Sequence, residues 1–390
     1  SSGAVKGIGK ATARLVIEEF GEEALTVIED DPDQLTKIRG ISPKRARQIG
    51  EAFRQQMGTR RLVEFLTEHQ LPLELAALLH RAYGDVALEV VRANPYLLVN
   101  EEFRVEFSQA DGLALALGVG HEDPLRLEAG LLFEMAHNNL NNGHTFLPRR
   151  KLVEATGVLL EVPCQMLEDC LTTLLDRGEA ELERIAGQEA VYLPALHDAE
   201  AFIAQRLGEM SASRLLPPDG LDRLIDRIQR EQRITYAPQQ RQAVELAAER
   251  QVMLLTGGPG TGKTTCLRGV LDLFDRMGLE TALAAPTGRA AKRLGELCGT
   301  EASTIHRLLE TGFDPHSGRL VFAKNSYAPL QADAVIVDET SMVDVPLMAA
   351  LLDALEGDCR LVLVGDPDQL PSVGPGNLFA DLIRSKVVPT

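Results

Sequence analysis

The 390-residue sequence contains no apolar run near the ~20 residues that a bilayer-spanning helix needs, and no basic, apolar, small-residue series at its start. The first absence speaks against a helical membrane span and the second against a secretory leader, so a cytoplasmic setting is expected. The five cysteines, Cys164, Cys170, Cys266, Cys298 and Cys359, are odd in number and form no CxxC pair. Neither a disulfide framework nor a zinc site is expected, only free and mostly buried thiols. Positive charge is also scarce. The formal net charge of −17 excludes a chain that is basic all over, and taken alone it argues against a nucleic-acid partner. What is present, 45% hydrophobic and 25% charged residues, is the balance of a globular protein, too long for one ordinary core. Several domains are expected.

The charge is segregated along the chain. Residues Lys37 to Arg47, KIRGISPKRAR, carry five cations and no anion, whereas Glu18 to Asp33 carries eight anions and no cation. Such patterning leaves small positive surfaces on an acidic body, although a solvated helix face reads the same way. The chain starts with SSG, without methionine, and ends on KVVPT, which makes a fragment the expectation.

A stretch repeats in the first hundred residues. FGEEALTVIEDDP (Phe20 to Pro32) and YGDVALEVVRANP (Tyr83 to Pro95) match at an offset of 63. The spacing predicts a helix with Ala24, Leu25 and Ile28 on one stripe, stopped by the proline. Two turns flank the first copy, VKGIGKATARLV and IRGISPKRARQI, each with glycine before an amphipathic helix whose N–H groups can face an anion. They resemble helix-hairpin-helix motifs, which hold DNA phosphates without reading bases. Gly7, Gly9, Lys10, Gly40 and Lys44 are the candidates, with plain helix packing as the competing reading. The second turn has Ser42 where another glycine is usual. The corresponding RVEFSQAD in the second copy lacks hairpin glycines and is expected to be structural only. Residues 125–214 are expected as a helical unit with a hairpin around Gly187, similar to a winged helix or a scaffold that touches only its neighbours. LLPPDG (Leu215 to Gly220) reads as an interdomain break. The expected division is 1–66 for the hairpin region, 67–124 for the second helical repeat, 125–214 for the winged-helix-like unit, 215–235 for a linker and 236–390 for an α/β domain.

In that last part four continuous apolar runs, VMLL, TALAA, AVIV and RLVLV, predict strands buried on both faces of a parallel sheet. Ligands of such sheets bind beyond the carboxyl ends of the strands. After the first run, residues Gly257, Gly258, Pro259, Gly260, Thr261, Gly262, Lys263 and Thr264 fit GxxxxGK[ST] in full, between a strand and a helix, and Thr265 follows. The glycines let backbone N–H groups wrap a phosphate. Lys263 would reach the β- and γ-oxygens and the Thr264 hydroxyl would ligate Mg²⁺. After the third run, Asp338 and Glu339 supply one carboxylate for the metal and one for the attacking water. The gripped anion is thus expected to be a nucleoside triphosphate, with ATP and Mg²⁺ as the cofactors.

The other loops carry APTGRAAKRLGE, STIHRLL and VGDPDQLPSVGPGNLF, with the cations Arg289, Lys292 and Arg293 in the first and Asp366 and Gln369 in the last. Gln240 in QRQAV, the phosphate loop, APTGRAA, STIHRLL, DETSMVD and GDPDQLPSVGPG stand in the order found in superfamily 1 helicases. In detail the chain resembles the RecD-like branch, in the long form with an N-terminal helix-hairpin-helix region. The resemblance implies a multidomain chain, α-helical at its N-terminus and ending in a RecA-like α/β domain. It implies ATP-dependent 5′ to 3′ movement on single-stranded DNA and unwinding at single-strand/duplex junctions, in DNA repair or recombination, by a monomer with possible repair-protein partners. It implies that Gln240 recognises adenine and that Gln369 couples the γ-phosphate to DNA. Pro286, Thr287, Gly288, Arg289, Thr304 and His306 would line the strand's path, a histidine packed at a helix start being the rival reading for His306. Residues 311–331 would form a strand-separating hairpin or an ordinary surface one. The family's later motifs, with their arginines, would lie past residue 390 in a second RecA-like domain, so poor hydrolysis by this chain alone is expected. A phosphate-loop switch or kinase, a DNA-docking module with a relic nucleotide site and an RNA-directed helicase are the alternatives.

Overall fold

The computed structural model describes residues 10–100, 102–258, 260–314 and 320–390, without the side chains of Lys10, Gln55 and Gln56. These fall into two compact units, one within residues 1–129 and the other formed by 130–314 and 320–390.

In the first unit the repeated stretches fold alike. Gly21–Glu23 and Gly84–Val86 are short 3-10 turns, Ala24–Asp30 and Ala87–Ala93 are helices, and Pro32–Lys37 and Pro95–Leu98 are further 3-10 turns. Asp31 and Asn94, each preceding a proline, leave the helical region at φ −139° and −145°, as the ring of the next residue demands. Ala24, Val27 and Ile28 are buried in the first copy, Ala87 and Val91 in the second. Leu25, expected on the buried stripe, is instead 61% exposed. One residue beyond Ala24 turns about 100° around the axis, and Val27 takes the inward place. The turn before helix Pro43–Glu68 has Gly40 at φ +100°, where a side chain would be strained. Ser42 caps that helix by accepting a bond from the Arg45 N–H at 3.3 Å, which accounts for a serine where glycine was expected. Gly40 and Lys44 are exposed, while Gly7 and Gly9 lie outside the described residues. In the second copy Phe107 and Ala110 are buried on helix Phe107–Ala116.

The second unit begins with helices and a small antiparallel sheet. Strands β1 (Phe146–Pro148), β2 (Glu181–Ile185) and β3 (Gln188–Tyr192) are ordered β1-β3-β2. Ala186 and Gly187 turn the β2–β3 hairpin at φ +49° and +82°, the two positive values of a turn matched to strand twist. Strand β1 was not expected, having only three residues and no alternation. Helices Arg149–Leu160 and Cys164–Asp176 complete this part.

Seven further strands follow: β4 (Val252–Thr256), β5 (Thr281–Ala285), β6 (Ala302–Thr304), β7 (Thr311–Phe313), β8 (Leu320–Phe322), β9 (Ala334–Val337) and β10 (Arg360–Gly365). Five of them form a parallel sheet in the order β4-β10-β9-β5-β6, and β7 and β8 pair as a hairpin. The four apolar runs are β4, β5, β9 and β10. Alternate residues serve opposite faces: Val252, Leu254, Val335 and Leu361 pack with Ile203, Leu207 and Met210 of helix Pro194–Ala212. On the other face Met253, Ile336 and Val362 pack with Val270 and Phe274. Burial on both sides is why these strands read as unbroken aliphatic runs.

The stretch expected as a linker, 215–235, holds helix Leu221–Gln232. Its Ile225 and Ile228 are fully buried in the α/β core beside Val244 and Val270. The proline pair in LLPPDG breaks the chain, but Leu221, Leu224, Ile225 and Ile228 repeat at the helical spacing and carry it back onto the sheet's covering layer. Ile225→Ala is expected to destabilise this unit by about 2–5 kcal/mol, read from a urea melt. An unchanged melt would make the helix peripheral. Among the described residues no helix is long and apolar enough to cross a membrane.

Candidate nucleotide-binding site

The register puts the last residues of the five parallel strands on one edge. Thr256 pairs with Gly365, Val337 with Leu363 and with Ala284, and Ala285 with Thr304. Neighbouring strands lie about 4.8 Å apart, so the loops after β4, β10 and β9 leave the sheet within roughly 10 Å of one another. The loops after β5 and β6 leave on the other side of β9. One edge therefore carries two polar clusters that share β9.

The first cluster is the loop from Gly257 to Gly262, ahead of helix Lys263–Arg276. Gly260 and Gly262 have φ +75° and +89°, which glycine alone adopts freely. A Cβ on Gly262 would also run into the Gln240 amide. Pro259 lies outside the described residues. Thr261 Oγ1 donates to Gly258 O at 2.8 Å. Lys263 Nζ donates to Gly257 O, and to Gly258 O at 3.2 Å, so the cation is folded onto its own loop. Thr264 is exposed and Thr265 half-buried. Gln240, on helix Pro238–Glu249, accepts from the Ala237 N–H through Oε1 at 2.9 Å and donates through Nε2 to Thr261 O at 3.4 Å. A cavity of 480 Å³ opens here, lined by Gln240, Ala243, Thr256, Gly257, Lys263 and Cys266 among others.

Beyond β9, Asp338 is largely buried and accepts from the Glu339 N–H at 2.9 Å. Burial pushes its carboxyl above the ordinary carboxylate range, with that bond and the charges of Lys263 and Arg293 acting the other way. Glu339 is raised by burial and then by Asp338, with Asp366 adding to the repulsion. Glu339 also stands at φ +53°, an unfavourable backbone state for a side chain of its size. Asp366 is 2% exposed. Glu339 thus feels two further carboxylates, Asp338 and Asp366, with Lys263 and Arg293 as the opposing charges, and a bound cation would add to these. Among the described residues no three His, Cys, Asp or Glu side chains form a complete metal site by themselves. The residues fit Mg²⁺, an ion that takes one or two carboxylates and fills its other positions with water and phosphate oxygens.

Because the folded carboxylates hold their protons more tightly than the unfolded ones, stability of the ligand-free chain falls as pH rises from the ordinary carboxylate range through the raised values. Asp338→Asn removes one buried charge while keeping an acceptor for the Glu339 N–H. The variant is expected to melt higher than the parent near neutral pH and to depend less on pH. A lower melting temperature in the absence of nucleotide would refute this.

The second cluster lies beyond β5 and β6. Thr287 caps helix Gly288–Cys298, its hydroxyl accepting from the Ala290 N–H at 3.2 Å. Thr304 caps helix Ile305–Leu308 in the same way, accepting from the Arg307 N–H at 3.1 Å. Pro286 is half-buried, and Gly288, Arg289 and His306 are exposed. The His306 ring is 6.0 Å from that of Phe322 on β8. Gln369 follows β10 in a turn, its N–H donating to Asp366 O at 3.2 Å and its side chain exposed. Arg293, read from the sequence only as one of three helix cations, acts electrostatically on Asp338 and Glu339. Its place one turn after Arg289 gave no sign of that.

Three family models match the chain: an AAA domain over residues 240–375, the ATP-dependent RecD2 DNA helicase HHH domain over 55–146, and a SAM-like helix-hairpin-helix tandem over 4–55. The chain is 33% identical over 381 residues to the ATP-dependent RecD2 DNA helicase of Deinococcus radiodurans, an alignment covering 95% of this chain and 52% of that protein. Along 95% of its length the chain is RecD2-like, with the helix-hairpin-helix region and the AAA-type α/β domain of a superfamily 1 DNA helicase in that order. It is also similar to RecBCD enzyme subunit RecD of Mycolicibacterium smegmatis, 42% identical over 37% of this chain and 30% of that one. The Mycobacterium tuberculosis subunit is 34% identical over 59% of this chain and 39% of its own length. This RecD2-like chain spans about half the length of the Deinococcus relative. Its α/β unit carries the AAA-domain match and its N-terminal helices carry the helix-hairpin-helix matches.

Proposed function

We propose that the chain binds ATP and single-stranded DNA as part of an ATP-dependent helicase that moves 5′ to 3′ and opens duplex at single-strand junctions. The observation that carries this reading is the single sheet edge from which a phosphate loop and two threonine-capped helices leave on either side of β9.

In the nucleotide cluster, Lys263 exchanges the carbonyls of Gly257 and Gly258 for β- and γ-phosphate oxygens. Thr264 and Asp338 hold Mg²⁺, which when bound neutralises charge developing on the phosphates. Glu339 orients and deprotonates the attacking water, a role that its raised carboxyl suits. Gln369, in the loop that leaves β10, the strand neighbouring β4, senses the γ-phosphate. Gln240 reads adenine. The backbone of Gly257, Gly258, Gly260, Thr261 and Gly262 surrounds the phosphates, with Thr265 following on the helix.

In the other cluster, Thr287 and Thr304 each accept a capping bond and keep the hydroxyl proton. That proton is free to donate to a DNA phosphate, and Pro286, Gly288, Arg289 and His306 shape the rest of the path. Contacts of this kind carry no base preference, as a translocase requires. The hairpin β7–β8 bears the exposed apolar residues Phe313, Leu320 and Val321 and is suited to wedge between paired strands. The turn between them, with Ser317 and Gly318, lies outside the described residues. The N-terminal turns at Gly40 and Lys44, with Gly7, Gly9 and Lys10, add phosphate contacts. A monomer working in the cytoplasm in repair or recombination, with 236–390 as its motor part, fits this scheme.

Thr287→Ala together with Thr304→Ala is expected to weaken single-stranded DNA binding at least ~10-fold, since a bond to a charged group contributes about 1.5–3 kcal/mol. ATP affinity should hold, and serine at both positions should restore binding. Loss of ATP binding as well would mean that the caps serve only the fold. The reading as a whole is tested by unwinding of 5′- and 3′-tailed duplexes with the whole protein. Opening of the 5′-tailed substrate alone is expected, and opening of the 3′-tailed one alone, or preference for matched RNA, would overturn it.

A further inference from the structure

Helix Leu221–Gln232 does more than fill a core. Arg241, the residue after Gln240, donates through all three of its nitrogens: Nη2 to Asp222 at 2.7 Å, Nη1 to Asp226 at 2.8 Å and Nε to Glu245 at 2.8 Å. Two of these acceptors lie on helix Leu221–Gln232. Gln229 Oε1 on the same helix accepts the N–H of Tyr236 at 2.7 Å. Two more ties reach the helix that Lys263 begins: Gln232 donates to Asp272 and Arg276 to Glu231, each at 2.5 Å. A single helix is thus stapled both to the segment bearing Gln240 and to the helix that follows the phosphate loop.

The connecting segment has little freedom. Tyr236 is 7% exposed, and a Cβ on Gly269 would overlap its hydroxyl. Among the described residues that buried hydroxyl has no hydrogen-bond partner, so packing and the Gln229 bond hold the residue in place. The next N–H, of Ala237, is the donor that engages Gln240 Oε1. This bond decides which end of the amide stands where: oxygen toward Ala237, nitrogen toward Thr261 O.

We propose that Arg241, acting through Asp222 and Asp226, is a positioning residue for purine selection that fixes the orientation of the Gln240 amide so that adenine is preferred over guanine. The proposal rests on the adenine-reading role of Gln240. Adenine offers an acceptor at N7 and a donor at N6, which an oriented amide meets with one N–H and one oxygen. Guanine offers acceptors at both N7 and O6. An amide held one way round meets both groups of adenine and sets its oxygen against O6 of guanine, whereas an amide free to move swings clear of that repulsion, keeps one N–H bond to guanine and loses the preorganisation that favours adenine. Because Asp222 and Asp226 are 83% and 55% exposed, the ion pairs contribute little to stability. Their effect is on geometry.

The test is equilibrium binding of ATP and GTP, each as its non-hydrolysable analogue, to the parent chain, Arg241→Ala, Arg241→Lys, Gln240→Ala and the double variant Asp222→Asn/Asp226→Asn. The parent is expected to prefer the adenine nucleotide by at least about 5-fold, the lower end of what one bidentate base contact provides. Arg241→Ala and the double variant should bring the preference toward unity, and Arg241→Lys, with one ammonium for two carboxylates, should fall between. A purely structural role would lower the melting temperature and leave the preference intact. Preference kept in Arg241→Ala and in the double variant but lost in Gln240→Ala overturns this proposal alone. Preference kept in all the variants overturns the adenine-reading role with it.

Discussion

Glu339→Gln is expected to slow ATP hydrolysis by the whole protein about 10²- to 10⁴-fold, the range general-base catalysis covers, while ATP binds at least as tightly as before. The two halves of the result have separate causes. Glutamine cannot take a proton from water, so the chemical step loses its base. It also removes one of three carboxylates whose repulsion the site carries in the absence of a cation, with Asp338 and Asp366 the other two. An approaching triphosphate, itself anionic, meets less negative charge. Stopped-flow binding and single-turnover hydrolysis separate the two. Equal losses in affinity and rate would place Glu339 in phosphate binding and leave the water without its base.

Lys263→Gln is expected to weaken ATP binding by two orders of magnitude or more, because a charge-assisted bond contributes about 1.5–3 kcal/mol and the ammonium reaches two phosphates. Single-stranded DNA should still bind, because the threonine caps on the far side of β9 do not depend on the lysine. In the free chain Lys263 is satisfied by the carbonyls of Gly257 and Gly258, and glutamine can serve one of them, so the fold should survive. Isothermal titration with ATP and anisotropy with labelled DNA read the two sites in one preparation. Unwinding that persists in Lys263→Gln would make the nucleotide site a relic and the chain a docking module.

How far the sequence could be read depended on burial. Strands β4, β5, β9 and β10 are covered on both faces, and that condition forces the unbroken aliphatic runs that revealed them. Strand β6, at the sheet edge, has Ala302, Ser303 and Thr304 all half-buried and leaves no such trace. Thr304 was legible as a site residue only through the family resemblance. Helix Leu221–Gln232 follows directly on two prolines that read as a break, although Leu221, Leu224, Ile225 and Ile228 stand at the helical spacing. The ties of Arg241 to Asp222 and Asp226 span 19 and 15 residues, and no local pattern reports pairings of that kind. Arg293 shows the same limit: its bearing on Asp338 follows from how the helix after β5 packs, and charge counting along the helix shows it only as one of three cations.

One sheet edge is proposed to sense a nucleotide's phosphates and a polynucleotide together, and a reciprocal titration reads that coupling. The coupling is tested most directly by titrating single-stranded DNA onto the protein with and without a non-hydrolysable ATP analogue and Mg²⁺, and then reversing the order. Each ligand is expected to change the affinity for the other by the same factor, within the roughly 5- to 150-fold range typical of coupled sites. DNA affinity that is identical with and without the nucleotide, in a protein that demonstrably binds both, would contradict it.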